Sequence, residues 1–321
     1  MKKTLLSQYP AIKVNGICVV SALVVATALV WAPRPVSASA HPSHRVSPAP
    51  PASVLNAAEA GPSPGGDPRG WAVDAARNEA SVIDHKGTLL RYRLHMIDAK
   101  GDVERDSIES ADGTVHRLVR RNQQPLSAEE DQEEQARLNE ELNSPDYFAR
   151  HVKHEQSDKK MAADLIRQLP DAMLYVYAPG QPPRTAGVHG ENSDVVLDFK
   201  PNPAWNPPNF SSGALTGLQG RMWIDRKTHR LTRFEGDIFR PVNFGMGMLA
   251  HVFPGGKLSA EQSNFGERLI VTRFSQHMVV RALMVKTMHV DSQGEASNVS
   301  EVKPMKYQDA IRLLLATPLP R

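Results

Sequence analysis

The stretch Leu90-Arg91-Tyr92-Arg93-Leu94-His95-Met96 alternates strictly, with four apolar side chains on one side and two arginines and a histidine on the other. A half-solvated antiparallel strand needs this period of two, whereas a helix would need apolar residues three or four apart. Lys100-Gly101-Asp102 and Asp112-Gly113 are turn signals that divide residues 88–121 into three strands, a meander. The middle strand, 103–110, offers only Val103 and Ile108 among charges, and the pattern predicts the edge or the most curved strand there.

The period then changes. Ser127-Ala128-Glu129-Glu130 forms a capping box, and its acidic first turn suits the positive end of a helix dipole. A helix to about Leu142 follows, with Leu138 and Leu142 as its docking stripe. Pro145 suits the first turn of a second helix, in which Met161, Leu165 and Leu169, flanked by Ala162 and Ile166, form a core-facing stripe that Pro170 is expected to stop. Beyond it, alternation and β-branched or aromatic content predict strands over 173–178, 194–199, 218–225, 229–239, 268–274 and 278–290. A final amphipathic helix over 307–315 presents Tyr307, Ile311, Leu314 and Leu315. Strands, two helices, many strands and one helix, in blocks, imply an α+β fold with an antiparallel sheet; the lack of alternating βαβ units argues against a doubly wound nucleotide-binding fold.

Lys2, Lys3 and Lys13 precede an apolar run of 17 residues, 16–32, followed by Ala38-Ser39-Ala40, a pattern that signal peptidases accept. We read residues 1–40 as a cleaved export signal and the location as periplasmic, an uncleaved N-terminal membrane anchor being the alternative. That segment holds four of the 38 basic residues and none of the 35 acidic ones, so the net charge of +3 falls to −1 without it. No bulk electrostatic argument for nucleic-acid binding survives. The only cysteine, Cys18, leaves with the signal, and with it any disulfide, thiolate metal site or cysteine nucleophile. Residues 41–70 contain seven prolines and read as a disordered spacer. Residues 71–321 then form a single domain with a helical insertion at 127–169.

Catalytic signatures are absent: there is no phosphate-cradling glycine loop, G-x-S-x-G elbow or H-E-x-x-H helix. His151, His154 and Asp158 share a helix face and could in principle hold zinc for a metal-dependent hydrolase, but an aspartate stands where the zinc helix needs its second histidine. The reading is therefore non-enzymatic, with no catalytic residue, metal or cofactor. Apolar side chains instead crowd two loops. Residues 201–210 combine four prolines with Trp205 and Phe210, and residues 239–256 combine glycine with Phe244, Met246, Met248 and Phe253, a deformable surface suited to an apolar ligand.

Three segments, Leu197-Asp198-Phe199-Lys200-Pro201-Asn202-Pro203, Leu218-Gln219-Gly220-Arg221-Met222-Trp223-Ile224-Asp225 and Leu231-Thr232-Arg233-Phe234, resemble the lipoprotein-carrier superfamily of LolA, LolB and RseB. In that group a strand ending G-x-x-W-I-D is followed by a tight turn and a strand beginning L-x-R. The resemblance covers residues 195–290, with 88–121 as the opening strands. It implies a strongly curved antiparallel half-barrel, helices covering its concave side, and acyl chains held between them. The insertion at 127–169 is longer and more charged than such a carrier needs.

The expectation is an exported, membrane-proximal envelope protein that binds a lipid or lipoprotein acyl chain in an apolar cavity. Leu90, Tyr92, Leu94, Trp223, Phe244, Met246, Met248 and Phe253 are the candidate ligand-binding residues. The alternative is an RseB-like regulator that binds an envelope protein partner.

Overall fold

A computed structural model describes residues 66–83, 88–180, 194–244, 247–266 and 268–320. The expected signal at 1–40, most of the spacer at 41–70 and Met246 lie outside the described residues. Within them the fold is α+β, with thirteen strands in one open antiparallel sheet.

The meander is formed by β1 (Leu89–Asp98), β2 (Gly101–Ser110) and β3 (Gly113–Arg121), with the short β4 (Gln124–Pro125) beside it. Strand β2 is interior, hydrogen-bonded to β1 and β3, so the expectation of an edge is corrected; β4 and β5 (Met173–Tyr177) are the outer strands. Its charges are accommodated because Arg93 donates to Asp106 at 2.9 Å, while Ile108 is covered by a helix.

After the helices, the sheet continues with β6 (Asp194–Pro201), β7 (Leu218–Asp225), β8 (Leu231–Ile238), β9 (Val242–Phe244), β10 (Ala250–Val252), β11 (Gly256–Phe265), β12 (Arg268–Ala282) and β13 (Lys286–Val302). The order is β4-β3-β2-β1-β13-β12-β11-β8-β7-β6-β5, with β10 paired to β12 and β9 to β10. The last strand thus joins the first, at Leu94 opposite Ala296 and Met96 opposite Gly294. The predicted break between residues 274 and 278 does not occur. Polar Ser275-Gln276-His277 stays in the ladder, Gln276 donating to Ser292 Oγ at 2.7 Å, and the chain turns at 283–285 instead.

Directly paired residues share a face. On one face Leu90, Leu94, Met222, Phe234, Ala260 and Phe274 belong to a single apolar core. On the other, Trp223, Arg233, Glu261, Arg273, Glu295, His95, Glu104 and Arg120 are successive register partners across eight strands. Their signs mostly alternate, so a solvated face has charges that attract across the strands instead of repelling. Register shifts interrupt four of the pairings, at Arg91/Arg93, Glu104/Arg105, Glu261/Gln262 and Trp223/Ile224.

Four α-helices and a 3-10 helix accompany the sheet among the described residues. Helix α1 (Pro68–Ile83) was not expected from the sequence, where the spacer runs to Gly70; its buried face is Ala72, Ala75, Ala76, Glu79 and Ala80, a helical spacing without large apolar residues. Helix α2 (Ala128–Asn143) starts at the capping box, with Glu130 N donating to Ser127 Oγ at 3.2 Å and Ser127 N to Glu130 Oε2 at 3.0 Å. Helix α3 (Pro145–Ala172) runs two residues past Pro170. A proline in the last turn forfeits a single amide bond, and Arg69 Nε donates to its free carbonyl at 3.1 Å. Helices α1 and α3 roof the apolar face. Helix α4 (Tyr307–Ala316) covers Ile108 and Val115 on the opposite face with Leu138 of α2, a second and smaller core.

Candidate functional site

Where α1 and α3 meet over the sheet, their side chains leave a pocket of ≈ 40 Å³. The cause is legible in the residue sizes. Ala72, Ala75 and Ala76 face Leu165, Ile166 and Leu169, and the alanine methyls are too short to fill the gap above Met222 and Phe234. Leu215 of the 3-10 helix (Ser211–Gly217) and Tyr175 of β5 complete the wall, and Tyr175 donates its hydroxyl to Leu169 O at 2.7 Å.

One carboxyl enters this apolar wall. Glu79 is 4 % exposed, Gln262 Nε2 donates to its Oε2 at 3.1 Å, and its Oε1 has no hydrogen-bond partner. Burial pushes its pKa up to about 7; the Gln262 amide, the Leu231 backbone and the Arg230 charge act in the opposite direction without offsetting it. The carboxyl is therefore poised to gain or lose a proton near neutrality, inside a pocket that can accept an apolar group.

Helix α1 is fastened along its length by polar contacts. Arg69 pairs with Asp171, Asp74 Oδ2 meets His229 Nδ1 at 2.8 Å, and Asn78 Nδ2 donates to His229 O at 2.8 Å. Trp71 lies against the His229 ring at 4.5 Å between centroids. His229 itself has φ 53 in the β7–β8 turn, which aims its ring at α1.

The predicted site residues fall in separate places. Leu90, Tyr92 and Leu94 are buried on the helix-covered face within the same apolar core, but they do not line the pocket. Trp223 lies on the opposite face, one residue out of phase with Met222 and Ile224, with the Arg233 guanidinium 5.0 Å from its ring centre. Phe244 is buried against Phe210 at 4.9 Å. Phe253 sits between His251, at 4.5 Å, and Arg281, at 5.4 Å, while Met248 is exposed. Met246 lies outside the described residues. Sequence reasoning missed Glu79 and the alanine face of α1; their only signal is the spacing 72, 75, 76, 79, 80.

His151, His154 and Asp158 do not converge. His151 is buried with its ring 4.4 Å from that of Tyr307, His154 is exposed, and burial raises the Asp158 pKa against the opposing charge of His154. No group of three or more metal-ligating side chains occurs among the described residues. Nor is any helix there long and apolar enough to cross a membrane.

No protein-family model, curated protein or solved structure matches the chain.

Proposed function

We propose that this is an exported envelope protein of the lipoprotein-carrier type, which holds a lipid acyl chain between the sheet and its helical roof. The observation that carries the reading is the pocket beneath α1, bounded by alanine above and by the apolar face of an open antiparallel sheet below. Four register shifts support a sheet bent into a half-barrel with the helices on its concave side, because a bulge bends the strand that carries it.

At ≈ 40 Å³ the pocket is far below the roughly 300–1,000 Å³ typical of ligand sites, so loading requires α1 to swing away. Burying a methylene contributes about 0.8 kcal/mol, so about six carbons supply about 5 kcal/mol, whereas exposed ion pairs such as Arg69–Asp171 contribute about 0–1 kcal/mol each. Protonated Glu79 costs the incoming chain less than the carboxylate, so acyl binding weakens as pH rises through about 7.

Mass spectrometry of an organic extract of the purified protein tests the reading together with titration of a fluorescent fatty-acid analogue. Bound acyl lipid, and weaker analogue binding by Ala76→Leu, are expected. A lipid-free extract with analogue binding unchanged by Ala76→Leu would reject it.

The small pocket volume favours a second reading, a partner-binding regulator with a filled interior. In that case Ala76→Leu leaves the protein's activity intact, and surface substitutions abolish it.

A further inference from the structure

The turn between β12 and β13 consists of Leu283, Met284 and Val285, which are 52, 61 and 85 % exposed. Leu283 and Met284 have φ 49 and 59, the left-handed region that hairpin turns ordinarily fill with Asn-Gly. Two large apolar residues there are unfavourable twice over, since the backbone is strained and the side chains stand in water. Leu249 and Met248 extend the patch: Leu283 N donates to Leu249 O at 3.0 Å, and both added side chains are exposed. The charge around this knob has one sign. Arg281 and Lys286 flank the turn, and neither residues 238–260 nor residues 274–290 contain an aspartate or glutamate.

We propose that this knob inserts into the interfacial layer of an anionic lipid bilayer, with Lys286 and Arg281 at the headgroup phosphates. The chemistry favours a bilayer over a protein partner. The knob is made of exposed aliphatic side chains at the end of a hairpin, flanked by Arg281 and Lys286 in strands whose residues 274–290 include no carboxylate, the pattern of an interfacial membrane contact. Protein interfaces centre instead on aromatic and arginine anchors seated in pockets. The proposal is independent of acyl binding beneath α1.

Co-sedimentation of the mature chain, residues 41–321, with vesicles of phosphatidylcholine alone, or mixed with phosphatidylglycerol, tests it. The expected result is binding to the mixed vesicles that weakens with salt and is lower on phosphatidylcholine alone. Leu283→Asn combined with Met284→Gly should weaken binding by about tenfold or more while keeping the fold, since it places favoured residues in the turn. Lys286→Glu should weaken it on mixed vesicles only, and Ala76→Leu should leave it unchanged, which separates docking from any failure of the acyl pocket. Met284→Trp should show blue-shifted emission with mixed vesicles and quenching by brominated acyl chains. Wild-type protein left in solution by both vesicle types, or undiminished binding by the turn variant, overturns the proposal; capture of the turn by another protein instead of by vesicles overturns it in favour of a protein partner.

Discussion

Gln262 on β11 donates a hydrogen bond to Glu79 on α1 at 3.1 Å, joining the helical roof to the sheet. This contact holds the one carboxyl of an otherwise largely apolar pocket wall, and Glu79 Oε1 is left without a hydrogen-bond partner among the described residues. The pH dependence of stability follows. Glu79 ionises near the ordinary carboxylate value of 4.5 in the unfolded chain and at about 7 in the folded one, so folding takes up a proton between those values. Its contribution is therefore most favourable below about 4.5, declines as pH rises to about 7, and is flat above that. The difference amounts to about 3 kcal/mol. Glu79→Gln should be more stable than wild type at pH 8 and should lose this slope in urea unfolding measured from pH 5 to 8. An unchanged slope would show that Glu79 is not the titrating group.

Arg117 on β3 is buried, and its Nη1 donates to Leu314 O and Thr317 O at 2.6 Å, while Nη2 donates to Asp131 Oδ1 at 2.8 Å. It caps the negative end of α4 and ties that helix to α2. Arg117→Met should destabilise by about 3 kcal/mol, because two carbonyls and a carboxylate lose their donor in a site with little water. In the outward charge row, Arg273 lies 3.5 Å from half-buried Glu261 and 3.4 Å from exposed Glu295. Glu261→Gln should shift stability by less than about 1 kcal/mol, and less still in high salt. Urea denaturation of both variants checks the contrast.

Gly113 opens β3 at φ 132, and a Cβ there would stand 2.5 Å from His151 Nε2 and 2.7 Å from Glu155 Cγ. Gly113→Ala should destabilise by about 2–4 kcal/mol, since strain at positive φ and displacement of α3 add together. Thermal unfolding measures it, and a melting temperature within a degree or so of wild type would contradict the contact.

Leu283→Asn with Met284→Gly should raise stability by about 1–2 kcal/mol by relieving two left-handed backbones. A calorimetric scan showing lower stability would mean that the exposed turn is held by packing instead of being strained.

Much of the fold was legible in the sequence. The alternation through Leu90 and Met96 placed β1, the capping box at Ser127 and Glu130 placed the start of α2, and Pro145 placed that of α3. The block order implied the antiparallel sheet. Less of the candidate site could be read, because size and exposure are different properties. Trp223 is the largest side chain of its strand, yet strand parity sends Met222 and Ile224 inward and leaves the tryptophan with Arg233. Helix α1 escaped notice because alanine contributes little to an apolar stripe.

The sequence by itself determined the local elements and their periods, since these depend on neighbours a few residues apart: which side chains share a strand face, where a helix is capped, where glycine permits a turn. Only the tertiary structure decided that β13 closes onto β1, that Glu79 of α1 meets Gln262 of β11, and that the alanine face of α1 leaves a pocket over Met222 and Phe234. Those relations join residues far apart in the chain. They are set by how side-chain volumes fill the space between sheet and helices, and no local pattern encodes that.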